Sequence, residues 1–300
     1  MDRVLGRRDF LAIATGSALA VGNAGAIEAI VRNGRQRMRL SLAAYSFRKY
    51  LQAREGTEGR IDLPGFIDYA ATLDLDAVEL TAYYFPKVPA ADYLAALKRR
   101  CHLAGLDISG GAIGNNFTVE PGPALEKQHK YVRAWIDHYA ALGAPVIRVF
   151  AGRPPKGVSE EEGVARAVKN LRIACEYAGQ KGVMLAIENH DYLVELDRLV
   201  KVVQQVDSPW FGVNFDSGNV RAADPYEALK LIAPYAVNAQ IKVDIPRQGG
   251  NGREATDLPR IIGILRDAGY SGYIVLEYEA KEDPYKAVPG YLAKLREAIG

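Results

Sequence analysis

A repeat in hydrophobicity constrains this chain more than any other feature. Eight apolar runs recur along it: LSLAAYSF (40–47), DAVELTAYYF (76–85), LDISGGAI (106–113), PVIRVFAG (145–152), VMLAIENH (183–190), WFGVNFDSG (210–218), VNAQIKVD (237–244) and GYIVLEYEA (272–280). Their starts lie about thirty residues apart, the length of one strand plus one helix. A helical pattern follows each run, for example ALEKQHKYVRAWIDHYAALG after the third and DLPRIIGILRDAGY after the seventh. Several of these segments end in glycine just before the next run (Gly105, Gly143, Gly182, Gly269), where a left-handed residue closes a helix without steric cost. Eight such units in about 260 residues match a (β/α)₈ barrel in count, length and order. A doubly wound open sheet would want a glycine-rich phosphate loop after its first strand, and LSLAAYSFRKY has no glycine. No Pro/Ser-rich linker or low-complexity stretch interrupts the series, so residues 39–300 read as one domain. GGNGRE (249–254) reads as a flexible loop after strand seven.

The first 38 residues stand apart. Arg7-Arg8 precede Phe10-Leu11, an apolar run of small residues extends to Val21, and Ala24-Gly25-Ala26 supplies an A-x-A-like cleavage site. Residues 1–26 therefore read as a signal peptide of the twin-arginine type, and 27–38 as a polar linker. Gly16, Gly22 and Gly25 argue against a stable first helix, and the run is too short and interrupted for a lasting membrane span. The expectation is an exported protein, periplasmic or otherwise outside the cytoplasm, with no stable membrane anchor after cleavage.

Net charge is +2, with 38 Lys+Arg against 36 Asp+Glu. That balance, without a basic stripe, argues against a nucleic-acid partner. The two cysteines, Cys101 and Cys175, fall in separate helical patterns and read as buried free thiols.

Strand seven carries the functional signal. In VNAQIKVD, Val237, Ala239, Ile241 and Val243 alternate with Asn238, Gln240, Lys242 and Asp244. In a barrel the apolar set meets the helices and the polar set points inward, with Lys242 nearest the C-terminal mouth, where active sites of such barrels sit. The same parity turns Glu188, Asp216 and Glu277 inward on strands five, six and eight, at heights comparable to Gln240. Three carboxylates in a closed interior repel unless a cation neutralises them or some are protonated. Hard oxygen donors without sulfur suit one Mn²⁺ or Mg²⁺ ion at Glu188, Asp216, Gln240 and Glu277. The competing reading is an ion-pair network of these carboxylates with Arg148 and Lys242.

The series AIENH, NFDSGN, QIKVD and VLEYE resembles the xylose isomerase-like TIM barrels, the sugar phosphate isomerase/epimerase superfamily, over about residues 40–298. The family includes ketose 3-epimerases, hydroxypyruvate isomerase, inosose dehydratase and endonuclease IV. The resemblance implies a divalent metal, often manganese, at the positions of Glu188, Asp216, Gln240 and Glu277, with Glu188 and Glu277 also serving as acid/base groups. It places His190 and Glu79 at the substrate. Two positions depart from the pattern: Gln240 and Asn219 stand where the family usually has histidine. From the residues themselves, Arg148 has inward parity and either orients Glu188 or grips substrate. Lys242 would stabilise an enediolate oxygen. Asn115-Asn116 follow strand three within reach of the mouth, and Asn219 lies beside it. Tyr45, Tyr83, Tyr84 and Phe85 form a candidate aromatic rim.

The expected activity is a metal-dependent isomerisation or epimerisation of a keto-sugar or related polyol through an enediolate. Two alternatives are a lyase or dehydratase acting on a 3-keto-glycoside or inosose, and a non-catalytic sugar-binding barrel. Endonuclease IV-like hydrolysis needs a histidine-rich zinc centre, and only four histidines are present, three of them in helical patterns. Oligomeric state stays open.

Overall fold

The alternation read from the sequence closes into a barrel. The structure is a computed structural model and describes residues 29–300, so the expected signal peptide lies outside the described residues. Eight parallel strands form the closed sheet: β1 (Met38–Ala43), β2 (Ala77–Thr81), β3 (Asp107–Ala112), β4 (Val146–Val149), β5 (Met184–Glu188), β6 (Phe211–Asp216), β7 (Ala236–Ile241) and β10 (Gly272–Leu276). Each pairs with its neighbours in chain order, and β10 closes onto β1 through the register Met38–Gly272 to Leu42–Leu276. The outer ring is α2 (Leu63–Ala70), α3 (Ala91–Leu103), α4 (Pro123–Leu142), α5 (Glu160–Gln180), α6 (Leu196–Val206), α7 (Pro225–Leu229), α8 (Leu258–Asp267) and α9 (Pro284–Ile299), after a single turn, α1 (Arg48–Leu51). This is the single-domain (β/α)₈ barrel expected.

Strand faces sort as the parity argument requires. Leu40, Leu42, Val78, Leu80, Ile147, Leu185, Ile187, Val213, Phe215, Ile241 and Leu276 lie buried in one apolar cluster with the helices. Ser41, Glu79, Arg148, Glu188, Asn214, Asp216, Asn238 and Gln240 alternate with them and are also buried, which fits a polar barrel interior. Helix starts are capped by side chains: Asp62 accepts from Gly65 N, Ser159 from Glu162 N and Asp257 from Arg260 N. Gly105, Gly143, Gly182 and Gly269 all have φ between +70° and +80°, as the helix-end reading demands. Gly111 on β3 is required for another reason: a Cβ there would lie 2.0 Å from the Tyr139 ring.

Two local expectations need correction. The loop after β7 is not wholly flexible. Asp244–Pro246 (β8) and Arg253–Ala255 (β9) pair as an antiparallel ribbon, and Arg253 ties it down through Asp244 and the Gly218 carbonyl. The end of the presumed linker also packs onto the barrel. Ile30 N donates to Pro234 O at 3.0 Å, and the Arg32 guanidinium reaches Ala236 O and stacks over Tyr270. Cys101 and Cys175 are free and buried, as expected. No helix among the described residues is long and apolar enough to cross a membrane.

Candidate active site at the barrel mouth

The strand ends meet at a cavity of about 280 Å³ lined by Tyr45, Tyr83, Arg148, Phe150, Glu188, His190, Asn219, Lys242, Glu277 and Glu279. Eight of the residues singled out from the sequence therefore line one cavity: Tyr45, Tyr83, Arg148, Glu188, His190, Asn219, Lys242 and Glu277.

Glu188 ends β5. Its Oε1 accepts from Asn219 Nδ2 at 2.9 Å, and its Oε2 lies 2.9 Å from Arg148 Nε, an ion pair buried on both sides. Arg148 also donates to the Ile113 carbonyl at 2.9 Å and lies 4.0 Å over the Phe150 ring. Burial raises the Glu188 carboxyl to about 7, against the pull of Arg148 and with the push of Glu277. Arg148 thus pairs with Glu188 and lines the cavity.

Across β6 and β7 the carboxylates gather around one ammonium. Lys242 Nζ donates to Glu277 Oε2 at 2.6 Å and stands 3.3 Å from Asp216 Oδ2 and 3.2 Å from Glu279 Oε2. Asp216 Oδ1 accepts from the backbone N–H groups of Gly218 and Asn219. Burial pushes the Asp216 carboxyl up, and Lys242 opposes it. Lys242 itself is held well above its ordinary value: burial opposes this, and Asp216, Glu277 and Glu279 outweigh it.

One layer deeper, four side chains close a ring. Gln240 Nε2 donates to Glu79 Oε1 at 2.7 Å, Asn214 Nδ2 to Gln240 Oε1 at 2.6 Å, and Asn238 Nδ2 to both Asn214 Oδ1 at 2.8 Å and Glu79 Oε2 at 3.1 Å. Two pairing irregularities coincide with this layer. Register shifts occur between Val78 and Glu79 on β2 and between Val213 and Asn214 on β6, and such bulges re-aim side chains beside functional sites. Burial, reinforced by Glu277, raises the Glu79 carboxyl to about 7, although its amide donors favour the ionised form.

This geometry corrects several expectations. Glu188, Asp216, Gln240 and Glu277 are not level. Glu188 pairs with Asn214, Asp216 with Gln240, and Gln240 with Val275, two residues before Glu277. The stagger that closes a barrel makes this unavoidable, and strand parity alone does not reveal it. The expected donor set accordingly does not fit a divalent cation as it stands. The Gln240 oxygen faces the Asn214 amide, Glu188 is occupied by Arg148 and Asn219, and the remaining carboxylates face Lys242. Among the described residues, no three His, Cys, Asp or Glu side chains converge closely enough to hold a metal ion. Glu79, expected at the substrate, is fully buried in the ring beneath the cavity. Asn115 is a clamp between loops: Nδ2 donates to Phe150 O at 2.7 Å and Oδ1 accepts from Phe150 N at 2.9 Å. Asn116 is spent on Thr118. Of the rim aromatics, Tyr45 and Tyr83 reach the cavity and meet edge-on at 6.3 Å, while Phe85 packs against Trp135.

Some participants escaped the sequence reading. Asn189 has outward parity, and its amide locks the Asp216 backbone: Nδ2 donates to Asp216 O at 2.8 Å and Oδ1 accepts from Asp216 N at 2.9 Å. Phe150 lies against His190, ring centroids 4.5 Å apart. The inward parity of Glu279 was legible, but its pairing with Lys242 needed the fold.

Comparison with known proteins agrees with this architecture. Residues 67–295 match the family described as xylose isomerase-like TIM barrel. A Streptomyces coelicolor protein named "Putative hydroxypyruvate isomerase" is 24% identical over 241 residues, covering 72% of this chain and 85% of its own length. A 2-oxo-tetronate isomerase of Haemophilus influenzae is 25% identical over 185 residues, covering 58% and 70%. The D-psicose 3-epimerase of Clostridium cellulolyticum H10 superposes with a TM-score of 0.66 at 18% identity, over 85% of this chain and 89% of that one. With the family match spanning most of the barrel, the chain belongs to the xylose isomerase-like TIM barrel family.

Proposed function

We propose that the chain is a sugar isomerase or epimerase that moves a proton at the carbon α to a carbonyl of a keto-sugar or related polyol. The observation that supports it best is Glu188, a cavity-lining carboxyl raised to about 7 and aimed by Arg148 and Asn219, beside the Lys242–Glu277 pair in the same cavity. An acid/base group works best when its pKa lies near the working pH. The relatives named as isomerases are consistent with this chemistry.

In this reading Glu188 takes the α-proton, and the enediolate forms within reach of two fixed cations, Lys242 Nζ and the Arg148 guanidinium. Glu277, having first taken up a proton from solvent, delivers it to the same carbon from another side, for epimerisation, or to its neighbour, for isomerisation, and exchange with solvent then returns both carboxyls to their starting states. Tyr45 and Tyr83 bound the cavity as a stacking rim, and His190 and Asn219 offer hydrogen bonds to hydroxyls. The same enolate would expel a substituent if the substrate carried one at the adjacent carbon, which is the lyase reading on 3-keto-glycosides or inososes. An exported enzyme meets free glycosides more readily than sugar phosphates.

The test is a panel of ketoses, inososes and 3-keto-glycosides in D₂O, followed by NMR and mass spectrometry. Deuterium at the α-carbon with an isomerised or epimerised product supports the proposal, and loss of the aglycone selects the lyase. Folded protein that binds a sugar but neither exchanges nor converts any member would refute it in favour of a binding barrel. For an exchanging substrate, kcat/KM should rise with pH through about 7 as Glu188 loses its proton, and Glu188→Gln should abolish that limb.

A further inference from the structure

We propose that the ammonium of Lys242 is the resident cation of this site, taking the role that a divalent metal would have at such a barrel mouth, so that the protein binds no catalytic metal. Three carboxylates surround it, Glu277 at 2.6 Å and Glu279 at 3.2 Å from the segment after β10 and Asp216 at 3.3 Å from the end of β6. A divalent ion in that space would sit against a buried positive charge or have to displace it.

The surroundings hold Lys242 in place. Its backbone N–H donates to Ser217 Oγ at 2.8 Å. Its stem passes over Gly218, where a Cβ would lie 2.7 Å from Lys242 Cδ. The two departures in the motifs fit the same arrangement. Gln240 is bonded at both ends of its amide, to Glu79 and to Asn214, and turning the amide over would set its NH₂ against the Asn214 donor and its oxygen against the Glu79 carboxylate. Asn219 donates to Glu188, which also faces Arg148. The carboxylates on both sides of the cavity thus face cations or amide donors that belong to the protein. As a positioned positive charge lining the cavity, the ammonium would meet negative charge developing on a substrate oxygen.

The catalytic consequence rests on the isomerase reading, but the binding test does not. Protein stripped with EDTA should show no saturable Mn²⁺ uptake by calorimetry at concentrations below ~1 mM, and no rise in Tm with Mn²⁺. The Lys242→Ala/Gln240→His double variant releases the carboxylates and restores a nitrogen donor, and should bind one Mn²⁺ at least ~10-fold more tightly than wild type, with a rise in Tm. One equivalent of tightly held metal in the purified wild type, or micromolar Mn²⁺ binding by it, overturns the proposal. If the double variant does not fold, the wild-type titration alone decides. With an exchanging substrate in hand, EDTA-treated enzyme should keep its rate and Lys242→Met should lose about 100-fold, whereas a rate restored only by Mn²⁺ overturns the proposal. An inactive protein that also refuses Mn²⁺ would sink the isomerase reading and leave this one standing.

Discussion

Replacing Glu79 by glutamine should flatten the pH dependence of stability. Glu79 is fully buried, and its carboxyl stands at about 7 against an ordinary 4.5, chiefly through burial. Because the folded-state value is the higher one, the folded protein holds this proton more tightly than the unfolded chain. The associated stability is complete below about pH 4.5 and is lost as pH rises through 7. Between pH 5 and pH 8 that loss amounts to roughly 2 to 3 kcal/mol. Glutamine keeps the shape and does not titrate. It does disturb the ring: Gln240 Nε2 and Asn238 Nδ2 both donate to Glu79, and an amide has one oxygen to offer. That mismatch costs roughly 1–3 kcal/mol and is the same at every pH. Comparing wild type with Glu79→Gln by urea unfolding at pH 5 and pH 8 cancels the mismatch and every other titrating group that the substitution leaves alone. Relative to wild type, the variant should gain roughly 2 to 3 kcal/mol on going from pH 5 to pH 8. A gap that stays constant within ~0.5 kcal/mol would mean that Glu79 is ionised throughout and that its two amide donors outweigh its burial.

Arg148→Met removes the partner of buried Glu188 and the donor to the Ile113 carbonyl, so it should destabilise by about 3–5 kcal/mol. The loss in urea unfolding should be larger at pH 9 than at pH 5.5, where Glu188 can take up a proton instead. Gly218→Ala forces the Lys242 stem aside and should lower stability by roughly 1–3 kcal/mol, while an α-proton exchange assay should show a larger relative loss than Tm alone would suggest. Export with cleavage near Ala26, motivated by Arg7-Arg8 and Ala24-Gly25-Ala26, predicts a periplasmic fraction whose intact mass starts after the leader. A cytoplasmic protein retaining Met1 contradicts it.

The fold was legible because its signal is periodic. Eight apolar runs at βα spacing and glycines at helix ends are local patterns, and each survives into the structure with boundaries moved by a few residues. The inward face was legible for the same reason: period two in VNAQIKVD places Asn238, Gln240 and Lys242 inside, and all three are buried. Relative height was not legible. It depends on stagger and on the irregularities at Val78–Glu79 and Val213–Asn214, which are properties of strand pairs rather than of any one strand. The clamp made by Asn115 was not legible either, because proximity in sequence to a strand end says nothing about which backbone its amide will meet.

Gln240 shows why a motif position does not carry its chemistry with it. Judged alone, a glutamine in place of a ligating histidine is a weakened metal site. Set in the barrel, it is one member of a ring with Glu79, Asn214 and Asn238, and the residue two further along, just past the end of β7, brings a positive charge to the mouth. Gly218 leaves room for that lysine's stem, and Asn219 donates to the carboxylate across the cavity. Substituting one of these residues toward the usual pattern should therefore harm the protein. Gln240→His alone would break two buried hydrogen bonds while leaving Lys242 among the carboxylates, so it should cost stability without gaining a cation. Tm measured with and without Mn²⁺ decides this: a fall in Tm that Mn²⁺ does not reverse is the expected result, and a Tm restored by Mn²⁺ would show that the ring, rather than the ammonium, had been excluding the metal.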